Sequence, residues 1–278
     1  MPVQLPFKVR QSDLSTWQKC PLIYKYQHID KLPREQSASL TFGSILHDIV
    51  MEMEIRQDVE WAVKEFIERW IDPVGYMGPE YKIDYYVKGT NWKKFLEEGQ
   101  RMIRDWWGII RWDADVTLAR EYHFEVPIGN GHVLEGTIDK LVIRQVPKLH
   151  SSVVLISDYK TNNKTPTYEW LEDNLQFTAY AYATTRPEFW AGLPNGDVIE
   201  KQVEKLPRWG EWVSLKGPKR LDAGERTQVQ YNRLTMAVNA LAESVAMRIF
   251  VPNISGEACR YCEFRSQCGL REVPDTEW

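Results

Sequence analysis

The sequence predicts an α/β fold, a central mixed sheet flanked by helices, and three observations carry that prediction. Residues 132–143 alternate Val133, Ile138, Leu141 and Ile143 with polar neighbours, as a strand with two different faces does. Val153-Val154-Leu155-Ile156 is an almost unbroken apolar run, the pattern of a strand covered on both sides. Between and around such strands lie stretches with apolar residues at helical spacing, among them residues 40–53 and the segment WAVKEFIERW.

The chain has 278 residues, 43% of them hydrophobic, which suffices for a full core and favours one elaborated domain over two large ones. Within residues 1–278 we expect N-terminal helices (1–53), a helical insertion (54–118), an α/β core (119–250) and a cysteine-rich tail (251–278). The formal net charge of −4 does not advertise a polyanionic partner, but an acidic site lowers the total without excluding a local basic groove. No apolar run approaches the length of a membrane span, and MPVQLPFKVR lacks the apolar centre of a secretory signal. A cytoplasmic protein with no membrane partner is therefore expected.

In chain order, Ser12 is the expected N-cap of a helix running to about His28, kinked or restarted at Pro21. A second helix begins near Leu40 and carries Phe42, Ile45, Leu46, Ile49, Val50 and Met53, with His47 set among them. Residues 54–113 read as helices joined by a turn-rich stretch at 72–80. Lys93, Lys94, Arg101, Arg104 and Arg111 there are either solvated helix charge or a DNA-facing set. Strand signals return at 119–128, and Gly129-Asn130-Gly131 supplies a hairpin turn. A helix is expected from Tyr168 to Thr184, with Gln176 and Tyr180 on one face. Residues 196–215 read as a hairpin bearing Trp209 and Trp212 near Lys201, Lys205, Arg208, Lys216, Lys219 and Arg220. That mixture suits single-stranded nucleic acid, although paired tryptophans more often pack. A long amphipathic helix is expected from Asp222 to about Phe250.

The chemistry concentrates in the stretch from Glu135 to Lys160. Asp139 and Asp158, each expected at a strand end, offer hard oxygen ligands suited to Mg²⁺ or Mn²⁺. Lys160 lies two residues beyond Asp158, so both face one side of an extended strand. Glu135, four before Asp139, shares its face and is a secondary candidate. Alone, an Asp and a Lys at a strand end are usually solvated turn residues. Here they follow Gly136-x-x-Asp139 and precede Gln176-Phe-Thr-Ala-Tyr180, with His47 upstream. The four cysteines, Cys20 and the C-x2-C-x5-C set of Cys259, Cys262 and Cys268, suit metal ligation in a reducing compartment better than two disulfides. Four thiolates accept either one zinc ion or a [4Fe-4S] cluster, and the uneven spacing fits a zinc ribbon poorly.

Taken together, Gly43-Ser-Ile-Leu-His47, GxxD, Asp158-Tyr-Lys160, the Gln176–Tyr180 pair and the cysteines resemble the RecB-like branch of the PD-(D/E)XK nucleases. That branch includes the iron-sulfur nucleases of CRISPR spacer acquisition and the nuclease domains of bacterial recombination complexes. The likeness runs from about Ser12 to Cys268, with a loose match from Glu54 to Arg120. It implies a restriction-endonuclease-like core, a Mg²⁺ or Mn²⁺ site formed by His47, Asp139, Asp158 and the backbone carbonyl of Tyr159, and catalytic roles for Lys160, Gln176 and Tyr180. It also implies a [4Fe-4S] cluster on the four cysteines that ties the two ends of the chain around the core. The expected activity is exonucleolytic hydrolysis of DNA, favouring single strands or frayed ends. An endonuclease of the same fold, a non-cleaving DNA-binding scaffold and a zinc-stapled adaptor are the alternatives. No G-x-x-x-x-G-K-[ST] phosphate loop occurs, so unwinding falls to a separate helicase, or the protein acts beside a CRISPR integrase.

Overall fold

The computed structural model describes residues 7–110, 115–147, 150–161, 165–254, 258–259 and 262–269. Arg111 and the loop residues Asn162, Asn163 and Lys164 lie outside them. A short strand β1 (Lys8–Arg10) leads into α1 (Gln11–Lys19) and α2 (Pro21–Tyr24), which continues as a π-helical turn over Lys25–Ile29. The first helix starts one residue before Ser12. The Arg10 backbone N–H donates to Asp13 Oδ2 at 2.9 Å, so the aspartate three residues on fixes the start in place of a serine cap. Pro21 restarts the helix at its first position, where its missing N–H costs nothing.

Next come α3 (Ala38–Arg56), α4 (Val59–Ile71), α5 (Pro73–Met77) and α6 (Trp92–Ile110). The sheet strands β2 (Val116–Ile128), β3 (His132–Val146) and β4 (Ser151–Lys160) follow. Then come α7 (Tyr168–Glu172), α8 (Leu175–Ala183), α9 (Pro187–Ala191), α10 (Gly196–Val203), β5 (Arg208–Ser214), β6 (Lys219–Glu225) and α11 (Gln228–Met247).

The six strands form one mixed sheet in the order β1-β3-β4-β5-β6, with β2 on the other edge of β3. β2 and β3 are the expected hairpin, turning through Gly129 and Gly131, both at positive φ. β4 pairs antiparallel with β3 and parallel with β5, the arrangement its continuous apolar run requires. β1 pairs with Val133–Glu135 of β3, whereas β4 joins the same edge only from Lys140 onward. Between those two partners, residues 136–139 of β3 are left with a partner on one side only.

Two helical layers cover the sheet. On one face α1, α8, α9 and α11 bury a core around Leu134, Ile138, Val154 and Ile156. On the other, α3, α4 and α6 share a second core with Tyr159, Val213 and Leu215. Residues 59–110 therefore build one of the two layers. Gly99 allows it, because a Cβ there would meet the Phe66 ring at 2.1 Å.

Three sequence expectations change, and one reading left between two alternatives is decided. The helix expected over 168–184 breaks at Asp173–Asn174, where the Asn174 side chain accepts from the Gln176 and Phe177 N–H groups at 2.9 and 3.1 Å and caps a new helix. Residues 196–203 are helical, and the hairpin in this region is β5–β6. Trp212 is buried against Leu171, Phe177 and Ala223, and the buried Arg208 guanidinium donates to the Val203 and Thr184 carbonyls, so neither is displayed to a nucleic acid. The long helix begins after Thr227, whose capping box with Gln230 releases residues 219–225 to form β6. On α6, Lys93, Arg101 and Arg104 pair with Glu97, Glu98 and Glu60, and Lys94 donates to the Gly89 carbonyl, which makes them solvated helix charge.

Candidate active site

The site forms where β3 and β4 diverge. Asp139 lies in the middle of β3, not at its end, and owes its accessibility to the missing pairing partner beside it. Both β2 and β3 change phase at this level. Leu134 and Ile138 face the first core from even positions, but Leu141 does so from an odd one; on β2, Phe124 and Val126 give way likewise to Ala119. The phase change is made at Glu121, a non-glycine residue at φ 45°, opposite Asp139. Such a left-handed conformation in a residue that carries a Cβ costs strain of the kind found at functional sites.

The kink turns two carboxylates toward α3. His47 Nε2 stands 3.0 Å from Asp139 Oδ2, and His47 Nδ1 stands 3.4 Å from Glu121 Oε1. Ligand atoms of His47, Glu121 and Asp139 all lie within 4.8 Å of one another. From β4, the Tyr159 backbone N–H donates to Asp139 Oδ2 at 2.8 Å, while the tyrosine side chain passes to the opposite side of the strand. Asp158 and Lys160 share a face, with Lys160 Nζ 2.8 Å from Asp158 Oδ2. Gln176 Nε2 donates to Asp158 Oδ1 at 2.8 Å and to the Tyr180 hydroxyl at 3.1 Å, and Lys160 Nζ donates to Gln176 Oε1 at 3.3 Å. The structure thus brings together His47, Asp139, Asp158, Lys160, Gln176, Tyr180 and the Tyr159 backbone. Glu135 stands apart: Arg10 holds it at 2.7 Å, near Glu125 and His123.

Sequence reasoning missed Glu121. It reads as the polar half of an ordinary alternating strand, and the phase change that turns it inward has no glycine or proline to announce it.

The site holds three carboxylates against His47 and Lys160. Burial, reinforced by the charge of Asp139 and opposed by Lys160, pushes the Asp158 carboxyl up to about 6. Burial and the Asp139 charge carry Glu121 to about 7, with His47 opposing. Burial works against the His47 imidazolium, yet its hydrogen bonds to Asp139 and Asp48 and the neighbouring charges lift it to about 11. Lys160 is also raised, the Asp158 carboxylate outweighing desolvation. Such crowding of hard oxygen donors, partly protonated for want of positive charge, fits a divalent cation well.

Two features shape access. Gly136 lets α8 close on β3, since a Cβ there would meet the Phe124 ring at 2.9 Å and Tyr180 at 3.2 Å. On the other side a groove of ≈ 780 Å³ runs along the first half of α3 past His47 and Lys160, walled by Tyr81, Thr90 and Phe95. Lys216 lies in it, paired with Glu98.

The cysteines form a separate constellation. Cys20, Cys259, Cys262 and Cys268 line one cavity together with Leu22, Ile23, Tyr26 and Pro252. None of the four is joined in a disulfide. Burial raises the Cys262 thiol, a backbone bond at Phe264 opposes it, and the neighbouring sulfurs add to it. Asn253 ties the two ends of the chain here, its N–H donating to Cys20 Sγ at 3.3 Å and its side chain to the Lys19 carbonyl at 2.9 Å. Among the described residues, no helix is long and apolar enough to cross a membrane.

Gene 69 protein of Mycobacterium phage D29 is 22% identical over 290 residues, spanning 96% of this chain and 97% of that protein. The crystal structure of a "putative exonuclease" from Eubacterium rectale aligns with 98% of this chain and 91% of its own, at 13% identity and a TM-score of 0.45. Residues 9–269 match the sequence profile of the PD-(D/E)XK nuclease superfamily, and with strands, acids and lysine arranged as above, this chain belongs to that superfamily.

Proposed function

We propose that the protein is a divalent-metal-dependent deoxyribonuclease of the RecB-like kind, an exonuclease that trims single strands or frayed ends. The observation that carries the reading is the meeting of His47, Glu121 and Asp139 with Asp158 and Lys160 at the fork of β3 and β4. Asp139, Asp158 and His47 would hold Mg²⁺ or Mn²⁺, with Glu121 as an added oxygen donor. Bound there, the cation would lower the pKa of a water and polarise the phosphoryl oxygen.

The chain's own residues do the rest. Lys160 carries its positive charge where negative charge develops on the phosphate, a preorganised electrostatic role. Gln176, held by Asp158 and Tyr180, presents an amide that orients either the attacking water or a phosphate oxygen. The Tyr180 phenol, pushed up by burial, stays protonated and can donate a hydrogen bond. We read the groove along α3, with Tyr81 on its wall, as the path of a single strand. That feature supports a single-strand preference in place of the β5–β6 hairpin.

The four cysteines are best read as ligands of a [4Fe-4S] cluster. Supporting this, all four line one largely apolar cavity, and their uneven spacing along the chain suits a zinc ribbon poorly. A separate helicase or a CRISPR integrase would supply the partner that unwinds or captures DNA.

The test is degradation of end-labelled single-stranded, duplex and closed circular DNA by anaerobically purified protein, with Mg²⁺, Mn²⁺ or EDTA, beside Asp139→Ala. We expect metal-dependent loss of linear single strands, with circles spared and the variant inert. Cleavage of circles would make the protein an endonuclease, and binding without cleavage would leave the scaffold reading.

A further inference from the structure

Behind the acidic site lies a second cluster that the chemistry above does not use. Glu54 sits two helical turns beyond His47 on α3, on the same face, and is 3% exposed. Its carboxylate is the meeting point of four elements. Oε1 accepts from the Trp106 indole of α6 at 3.1 Å and from the Tyr159 hydroxyl of β4 at 2.9 Å. Oε2 accepts from Lys140 Nζ of β3 at 2.7 Å and stands 3.7 Å from Arg120 Nε of β2.

The sequence positions of those partners are the telling point. Arg120 precedes Glu121, Lys140 follows Asp139, and Tyr159 follows Asp158. On each of three strands, one residue sends a carboxylate into the site while its immediate neighbour reaches Glu54. The helix carrying Glu54 also carries His47. A carboxylate buried this deeply is stable only with its donors in place, and those donors are held in turn by it.

We infer that Glu54 is a positioning residue: its carboxylate clamps β2, β3, β4 and α3 from behind, and thereby sets the spacing of Glu121, Asp139, Asp158 and His47 around a metal ion. The inference rests on the reading of that acidic site as a metal site. Residues that orient ligands from the second layer govern affinity by about 10- to 100-fold in known metal sites. Glu54 would act in this way on all the acids at once, through the backbone rather than by touching a ligand side chain.

The experiment is calorimetric titration of the full chain with Mn²⁺, together with steady-state cleavage of a single-stranded oligonucleotide. It compares wild type, Glu54→Gln, Tyr159→Phe and Ile103→Val, the last loosening the same core at a residue that makes no bond to Glu54. Glu54→Gln is expected to bind Mn²⁺ about tenfold more weakly and to lower kcat with KM for DNA unchanged. Ile103→Val is expected to lose thermal stability while keeping wild-type Mn²⁺ affinity. A folded Glu54→Gln with wild-type affinity overturns the inference, as does an equal loss in Ile103→Val. If Glu54→Gln does not fold, Tyr159→Phe decides. It removes one hydroxyl and keeps the ring, so a several-fold loss of affinity supports the clamp and an unchanged affinity overturns it. Wild-type protein that takes up no Mn²⁺ overturns the metal-site reading and the clamp together, and is distinguishable because it precedes any substitution.

Discussion

At the scale of single residues, the proposed chemistry rests on Lys160 and the acids around it. Lys160→Met keeps the length of the side chain and removes its charge, so cleavage should fall by about 10²–10³-fold, as for loss of one preorganised transition-state group. DNA binding, measured by fluorescence anisotropy, should change little. The shifted carboxyls predict how pH acts. Asp158 and Glu121 are raised in the folded chain, to about 6 and about 7, so the unfolded chain ionises first and they cost stability as pH rises through that window. His47 is raised to about 11, so its contribution is full below its unfolded value and fades as pH climbs toward 11. Without metal, the melting temperature should therefore fall between pH 5 and pH 8. Added Mg²⁺ should restore it, and by more at pH 8, where fewer protons must leave the ligands. A melting temperature that Mg²⁺ raises equally at both pH values would refute this account. Most of these residues were legible in the sequence, because Asp139, Asp158 and Lys160 have fixed neighbours. Glu121 was not, because its role depends on a backbone phase change across two strands.

At the scale of elements, the site depends on how closely α8 approaches β3. Gly136→Ala would drive a methyl into the rings of Phe124 and Tyr180. We expect a loss of about 1–3 kcal/mol in urea unfolding, typical of overpacking, and reduced cleavage because Tyr180 carries Gln176 with it. Wild-type stability in this variant would mean that α8 yields freely. Asn174 plays a matching part from the other end, since its cap sets the first turn in which Gln176 lies. Periodicity located this helix but ran it straight through residues 168–184, because spacing of apolar residues does not register a competing side-chain cap. Residues 196–203, expected as part of a hairpin, are instead a helix that buries Val203 in the first core.

Over the whole molecule, residues 19–34 and 253–268 meet at the cysteine cavity. Asn253 reaches Lys19 and Cys20, and Glu263 accepts from Gln27 and Arg34 at 2.6 and 2.7 Å. Closing so long a loop restricts the unfolded chain, so a cluster here would contribute stability to the entire fold. Cys262→Ser should lose the brown colour of the anaerobic protein and melt several degrees lower by calorimetry. A colourless, equally stable, active variant would remove the cluster from the account. What the sequence by itself determined is the α/β order of elements, the hairpin at Gly129–Gly131, and the residue types of the site, since each is written in local periodicity, turn chemistry and short spacings. Only the tertiary structure decided which acids meet. β1 and β4 leave a gap on one edge of β3, two strands change phase together at that gap, and Glu54 gathers their neighbours from behind. Those are relations between segments far apart in the chain, and no local pattern specifies them.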